Sequence, residues 1–327
     1  MVPGQLESFV RQLGNATVTD GQVFGGKRAM LNGVLDLETA RLLSAENVTE
    51  LVIGVGYGPA SEIMTAHNVD SLIDDWRRIN KHHHVDLTHI KQIESLLYLS
   101  INLPIKDGFG SIEDLPLLKR LDIGAPVEAR LDFAKMKNLR SVGIEKCSGG
   151  ESVFHCHWLE ELRIWHLKTN DLSFLDPLRK LKLLSVFHSS VKTLDGIPNV
   201  TALSLAHTPK LESLGPLSAC TNISSLDLRN CKKIHDLSPL SKLQNLERFE
   251  LDDCGEIASL HPLLGLQRLS SFGFSGTTNI VDGDVSCLLE IPCLKSVIFS
   301  NRRHYNITRR DWHIKRWPEQ DWPKQLL

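Results

Sequence analysis

The sequence predicts a solenoid of the α/β class: short parallel strands stacked into a curved sheet, 3₁₀ or irregular segments on the convex side, and atypical units capping both ends. Three observations predict it. An LxxLxL spacing returns ten times, at Leu96, Leu118, Leu139, Leu159, Leu181, Val200, Ile223, Leu246, Leu269 and Leu294. A second landmark, LxPL, returns at Leu175, Leu214, Leu237 and Leu260. The 327 residues are 42% hydrophobic and 23% charged with a formal charge of −2, an ordinary globular composition in which no basic excess points to nucleic acid or anionic lipid.

The spacing has a physical reading. A unit of about 20 residues cannot bury its apolar face alone, so copies stack and share one core. Within each LxxLxL, positions 4 and 6 point inward from a short strand, while 3, 5 and 7 point outward. Position 9 turns the chain inward, where a small polar side chain can satisfy backbone groups. It reads Cys147, Ser189, Thr208, Cys231, Cys254 and Thr277. The proline of LxPL suits the outer side of the solenoid, where no ladder donor is required. Seven cysteines, an odd count without a CxxC pair, argue against a disulfide framework or zinc knuckle. All seven, including Cys156, Cys220, Cys287 and Cys293, are expected to be buried filler, since no electropositive setting for a thiolate is evident.

The pattern resembles the leucine-rich repeat family over residues 96–300. It is most similar to the short intracellular and bacterial repeats of the phosphatase-regulator and internalin type, and three of its units start 23 residues apart, at Ile223, Leu246 and Leu269. The resemblance implies a horseshoe of ten repeats that binds a partner. One departure is visible: the apolar residue after position 9 comes three residues later (Cys231 to Ile234, Cys254 to Ile257), where the family places it two later.

Four spans are expected in all, three of them outside the repeats. Residues 1–47 form an N-terminal cap. In it, Leu6, Phe9 and Leu13 are spaced like one face of a helix, and VTDGQVF signals a hairpin turning at Asp20–Gly21. Residues 48–95 hold a degenerate first repeat, with Val48, Leu51 and Ile53 as its strand and a helix, DSLIDDWRRINK, in an insertion over 55–95. The stretch LVIGVGYGPASE has the look of a phosphate-binding turn, but Pro59 stands where a dinucleotide fingerprint needs its third glycine, and no Walker lysine follows. After the repeats of 96–300, residues 301–327 carry Trp312, Trp317 and Trp322. These either fold back over the last repeat or form an exposed docking tail.

The outward positions carry the functional expectation. Trp165, Leu183 and Phe187 fall in adjacent rows among small residues. Arg120, Asp122, Glu145, Glu161 and Arg163 precede them, and Asp227, Arg229, Arg248, Glu250 and Asp252 follow. An apolar centre with a polar rim is the anatomy of a protein interface. The alternative is a charged face that simply solvates the sheet. Position 8 reads His166, His188 and His207 in successive repeats, a column that could hold zinc or serve as polar surface. HHHVDLTH (His82, His83, His84, Asp86, His89) and FHCHW (His155, His157) carry chelating residues without a defensible spacing.

No GxSxG, HExxH or paired-carboxylate context is present. The N-terminus lacks a signal-peptide pattern, and no apolar run reaches about 18 residues. The expected protein is a cytoplasmic, non-enzymatic module, monomeric when free. It has no cofactor and no nucleic-acid or membrane partner, and it takes a protein on its concave face as a regulator, an inhibitor of the immunity type, a scaffold or an effector. The rival is an enzyme or metal-binding subunit using residues 1–95 or the histidine column.

Overall fold

Apolar residues alternating with polar ones give this chain its strands, and most strands of its later repeats end where a residue enters the left-handed region. The computed structural model describes residues 11–13, 16–20, 23–31, 35–54, 85–103, 105–124, 131–145 and 151–318. The chain divides into two compact units, Met1–Leu159 and Glu160–Leu327.

The first unit opens with β1 (Arg11–Leu13), β2 (Ala16–Asp20) and β3 (Lys27–Leu31), paired antiparallel in that order. Helix α1 (Leu37–Ala45) follows, its first turn closed by Asp36, whose carboxylate accepts from the Thr39 N–H at 2.7 Å. Strand β4 (Val48–Ile53) then joins β3 in parallel. Parallel growth continues through β6 (Tyr98–Ile101), β8 (Arg120–Ile123) and β9 (Ser141–Glu145), while β5 (Val85–Asp86) and β7 (Ile105–Asp107) make a separate two-stranded ladder. Val48, Leu51 and Ile53 are fully buried in β4, as the spacing predicts.

Two expectations for this unit are corrected. Arg11–Leu13 is not helical: it pairs with the open edge of β2, and that ladder overrides the helical spacing. The hairpin between β2 and β3 is real, but Asp20 faces Lys27, so the connection spans 21–26 and is not a two-residue turn at Asp20–Gly21. The left-handed positions fall at Gly25 (φ 72°) and Gly26 (φ 81°). A carboxylate pins this loop. Glu50, fully buried on β4, accepts from the Val23 and Phe24 N–H groups at 2.7 Å and pairs with Arg28 at 2.8 Å. Leu6, Phe9, the insertion helix, the glycines at 56 and 58, His82–His84, Cys147 and Trp322 lie outside the described residues.

The second unit is more regular. It contains β10 (Glu161–Trp165), β11 (Leu183–Phe187), β12 (Ala202–Ala206), β13 (Ser225–Arg229), β14 (Arg248–Asp252), β16 (Ser271–Ser275) and β18 (Ser296–Phe299), all parallel and paired in that order. The two-residue strands β15 (Glu256–Ile257) and β17 (Asn279–Ile280) pair beside them. Positions 1, 4 and 6 of every repeat are buried, from Leu159, Leu162 and Ile164 to Leu294, Val297 and Phe299. The prolines open 3₁₀ turns at Gly215–Ala219, Ser238–Lys242 and His261–Leu263, where a missing N–H leaves no helical bond unmade.

Position 9 performs the turn chemistry expected of it. Ser189 donates to the Leu167 carbonyl, and the Cys254 thiol donates to the Leu228 carbonyl at 3.2 Å. The last member is Thr278 and not Thr277. With Gly276 left-handed (φ 63°), Thr277 turns outward and its N–H bonds Asp253, so the inward place passes to Thr278, which accepts from the Cys254 N–H at 3.0 Å. Cys156, Cys220, Cys231, Cys254 and Cys287 are buried, but Cys293 is exposed, because it falls in the turn between the last 3₁₀ segment and Leu294.

The C-terminal end of this unit is closed by aromatic packing. Phe272, Phe274 and Phe299 continue a stack begun at Phe249, and Tyr305 meets Phe274 and Phe299 edge-on. Helix α2 (Arg309–Arg316) starts from a capping box of Thr308 and Asp311 and carries Trp312, fully buried, against β18 and the 3₁₀ turn Ser286–Glu290. Trp312 therefore belongs to the core and not to a docking tail. Trp312→Ala should cost about 3–5 kcal/mol of stability through the cavity it leaves, read as a lowered midpoint in urea unfolding.

Candidate functional site

The strict register of the second unit places its outward side chains in three rows. One row runs Trp165, Phe187, Ala206, Arg229, Asp252; the next runs Arg163, Ser185, Ser204, Asp227, Glu250; the third runs Glu161, Leu183, Ala202, Ser225, Arg248. Trp165 lies against Phe187 with ring centroids 4.9 Å apart. Leu183 is 42% exposed, a large apolar side chain in the middle of a polar face.

Charge on this face is largely paired within strands. Arg163 meets Glu161 at 3.1 Å, and Arg229 meets Asp227 at 3.0 Å. Ser204 and Ser275 donate to Asp227 and Asp252. Glu250 is the exception. Burial pushes its carboxyl above the ordinary glutamate value, Asp227 and Asp252 push it further, and Arg248 and Arg229 oppose them. Gly273 stands beside it in the next strand, where a Cβ would collide with that carboxylate.

Immediately past the strands, position 8 of successive repeats is left-handed: His166 (φ 57°), His188 (φ 51°), His207 (φ 54°), Asn230 (φ 52°), Asp253 (φ 53°) and Gly276. Each of the first four donates its N–H to the last carbonyl of the next strand, at 2.8–2.9 Å, so the ladder runs one residue beyond the sheet before the chain bends away. This conformation aligns the three imidazoles. His166 stacks on His188 at 5.2 Å and His188 on His207 at 4.5 Å, with ring planes 28° and 11° apart, and His207 Nδ1 contacts the Asn230 amide at 2.9 Å. They line a cleft of about 390 Å³ with Lys168, Lys210 and Ser190.

Parallel stacked rings aim their nitrogens side by side, not at one point, so the column does not form the convergent zinc site considered from sequence. Among the described residues, the ligating atoms that do converge, within 4.8 Å, are those of His261, Asp284 and Cys287. Their chemistry is already engaged. Asp284, held down to about 2 by hydrogen bonds from His261 and Asn306, also accepts from Ser286 and from the Cys287 N–H. Burial pushes the Cys287 thiol up to about 12. Asp86 bonds the Thr88 N–H, and His155 and His157 are exposed.

A family model for "Leucine Rich repeats (2 copies)" matches residues 198–242, which run from β12 through the 3₁₀ turn Ser238–Lys242. The same strand, turn and outer 3₁₀ segment recur along the second unit. The chain has the leucine-rich-repeat fold. No curated protein matches it. Among solved structures, an internalin, InlF, of Listeria monocytogenes is similar with 12% identity, 85% of this chain and 83% of that chain covered, and a TM-score of 0.50. A leucine-rich-repeat protein of Leptospira interrogans is similar with 17% identity, 67% and 72% covered, and a TM-score of 0.38. At such identities the likeness is one of fold.

In this leucine-rich-repeat sheet the predicted site residues separate. Trp165, Leu183, Glu161, Asp227, Arg229, Arg248, Glu250 and Asp252 stay at least partly accessible on the second unit's face. Phe187 does not: it is 3% exposed, since the larger indole of Trp165 lies against it. Arg163 is buried because it lies along the sheet to reach Glu161, covering its own methylenes. Arg120, Asp122 and Glu145 belong to the first unit. There Arg120 pairs with Asp122 at 3.1 Å and covers Tyr98, whose hydroxyl burial pushes up to about 12. Glu145 is buried at the end of β9. Sequence reasoning missed the left-handed turn behind the histidine column, although Asn230, Asp253 and Gly276 at the same position were a legible signal.

A carboxyl raised by its surroundings costs stability wherever it is ionised and costs nothing once both states are protonated. Glu250→Gln should therefore raise the melting temperature at pH 7, with the gain vanishing as pH falls below the ordinary glutamate range, in melts followed by circular dichroism.

Proposed function

We propose that the protein is a non-enzymatic binding module that takes a protein partner on the sheet face of its second unit, in the manner of a regulator or inhibitor of an enzyme. The observation that carries this reading is Leu183, exposed on the strand next to that of Trp165, paired directly across from Glu161, with the ionisable cluster of Asp227, Arg229, Arg248, Glu250 and Asp252 beginning two strands further on. An apolar anchor with charged surroundings gives a partner both a desolvated contact and an orientation. Glu250 adds support: a carboxylate kept at a cost to the free protein becomes favourable when a cation from a partner reaches it. The rigid rows present these groups without an ordering cost. The first-unit residues Arg120 and Asp122 form a separate polar surface of the same type. Buried free thiols in adjacent repeats, Cys231 and Cys254, support a reducing, cytoplasmic location. Among the described residues no helix is long and apolar enough to cross a membrane.

The experiment is affinity capture from the native extract with wild-type protein, Leu183→Glu and Trp165→Ala, followed by titration of the captured partner. Leu183→Glu should abolish capture with an unchanged melting temperature, and Trp165→Ala should weaken the partner by about 2 kcal/mol or more. Equal capture by all three proteins sinks this reading.

A further inference from the structure

The cleft beside the aromatic patch has a chemistry that the rest of the face lacks. Among the described residues lining it, three are histidines, two are lysines and none is a carboxylate. Nothing in the backbone demands imidazole there. The same left-handed position is filled by Asn230, Asp253 and Gly276 in the next three repeats, so three consecutive histidines are a choice of side-chain chemistry and not of conformation. Lys168 and Lys210 are exposed on the turns that flank the column.

We propose that this cleft binds the carboxylates of an acidic segment of the protein partner, an assignment that rests on the sheet-face reading above. Stacked rings present their N–H edges in a line, with steps of 5.2 and 4.5 Å. The three rings together span roughly 10 Å, a length within which carboxylates at positions i and i+2 of an extended peptide, about 6.6 Å apart, both fit. Each imidazolium and ammonium would then donate a charge-assisted hydrogen bond to a carboxylate oxygen. The cationic stretch is short. Asp227, Glu250, Asp252 and Asp253 occupy the following repeats, and they favour a short acidic motif over the long polyanion of a nucleic acid, as does the formal charge of −2.

Binding is coupled to proton uptake. Among the described residues, the groups beside the rings include the neighbouring imidazoles, Lys168, Lys210 and the Asn230 amide, which contacts His207. The column's own carboxylate, Asp253, lies two repeats past His207 and accepts from the Thr277 N–H. A bound carboxylate favours imidazolium over neutral imidazole, so affinity rises as pH falls.

The test is fluorescence anisotropy on the full chain with three probes: a labelled short peptide with glutamate at alternate positions, its glutamine counterpart, and a single-stranded RNA of similar length. The glutamate peptide should bind, at least about threefold tighter near pH 6 than near pH 8, and more weakly in high salt. Lys168→Glu with Lys210→Glu, and separately the triple change of His166, His188 and His207 to Asn, should each weaken it about tenfold or more. Asparagine keeps the left-handed turn, as Asn230 does, so circular dichroism and thermal melting should match wild type for the triple variant. Equal binding of the glutamine peptide, tighter binding of the RNA, or indifference to both sets of changes overturns the assignment. If the peptide fails while Leu183→Glu still abolishes capture of the partner, only the acidic-segment inference falls. If the peptide binds while Leu183→Glu leaves capture intact, it is the sheet-face reading that falls.

Discussion

No repeat of this chain can cover its own apolar residues. Leu184 and Val186 are closed off only because Leu162 and Ile164 lie on one side and Leu203 and Leu205 on the other. That dependence fixes everything else in the second unit. A slip of one residue in any strand would turn its leucines to solvent, so the strands from β10 to β18 pair without a register shift. The outward rows inherit this order. Their side chains can vary in charge and size without disturbing the spine, which is why a leucine and a tryptophan can stand on the polar face while the core beneath is unbroken.

The second constraint is the left-handed residue that follows the second unit's strands from β10 to β16 along the main sheet. It lets the ladder continue for one more hydrogen bond and then directs the chain toward the position-9 side chain, which satisfies carbonyls of the preceding repeat. Regular backbone geometry becomes regular side-chain geometry: imidazoles from three repeats stack because their backbones are superimposed. The cleft they line is thus a product of repetition, set beside an apolar patch that uses the same strands.

Most of the spine was legible in the sequence because burial in a stack depends on spacing, and the spacing of Leu96 through Leu294 is read directly. Less of the face was legible. Accessibility depends on neighbours in space: Phe187 is outward by register yet hidden by Trp165, and Arg163 is outward yet flattened onto Glu161. Local choices between competing bonds escaped as well. Thr278 displaced Thr277 because Asp253 captured the latter's N–H, and Arg11–Leu13 joined an open strand edge against its own helical spacing. The C-terminal tryptophans were ambiguous until packing placed Trp312 in the core, because a buried indole and a binding anchor look alike in a sequence. The same holds for the histidine column, where residue type suggested a metal and only ring orientation argued otherwise.

The left-handed column also bears on how such a surface can change over generations. Codons for histidine, asparagine and aspartate differ from one another at their first base, and one further base separates aspartate from glycine. His166, His188, His207, Asn230, Asp253 and Gly276 therefore form a series in which single nucleotide changes can alter charge from cationic to neutral to anionic while the turn beneath keeps its shape. A lineage could in this way reassign what the rim of the sheet attracts without passing through a misfolded intermediate.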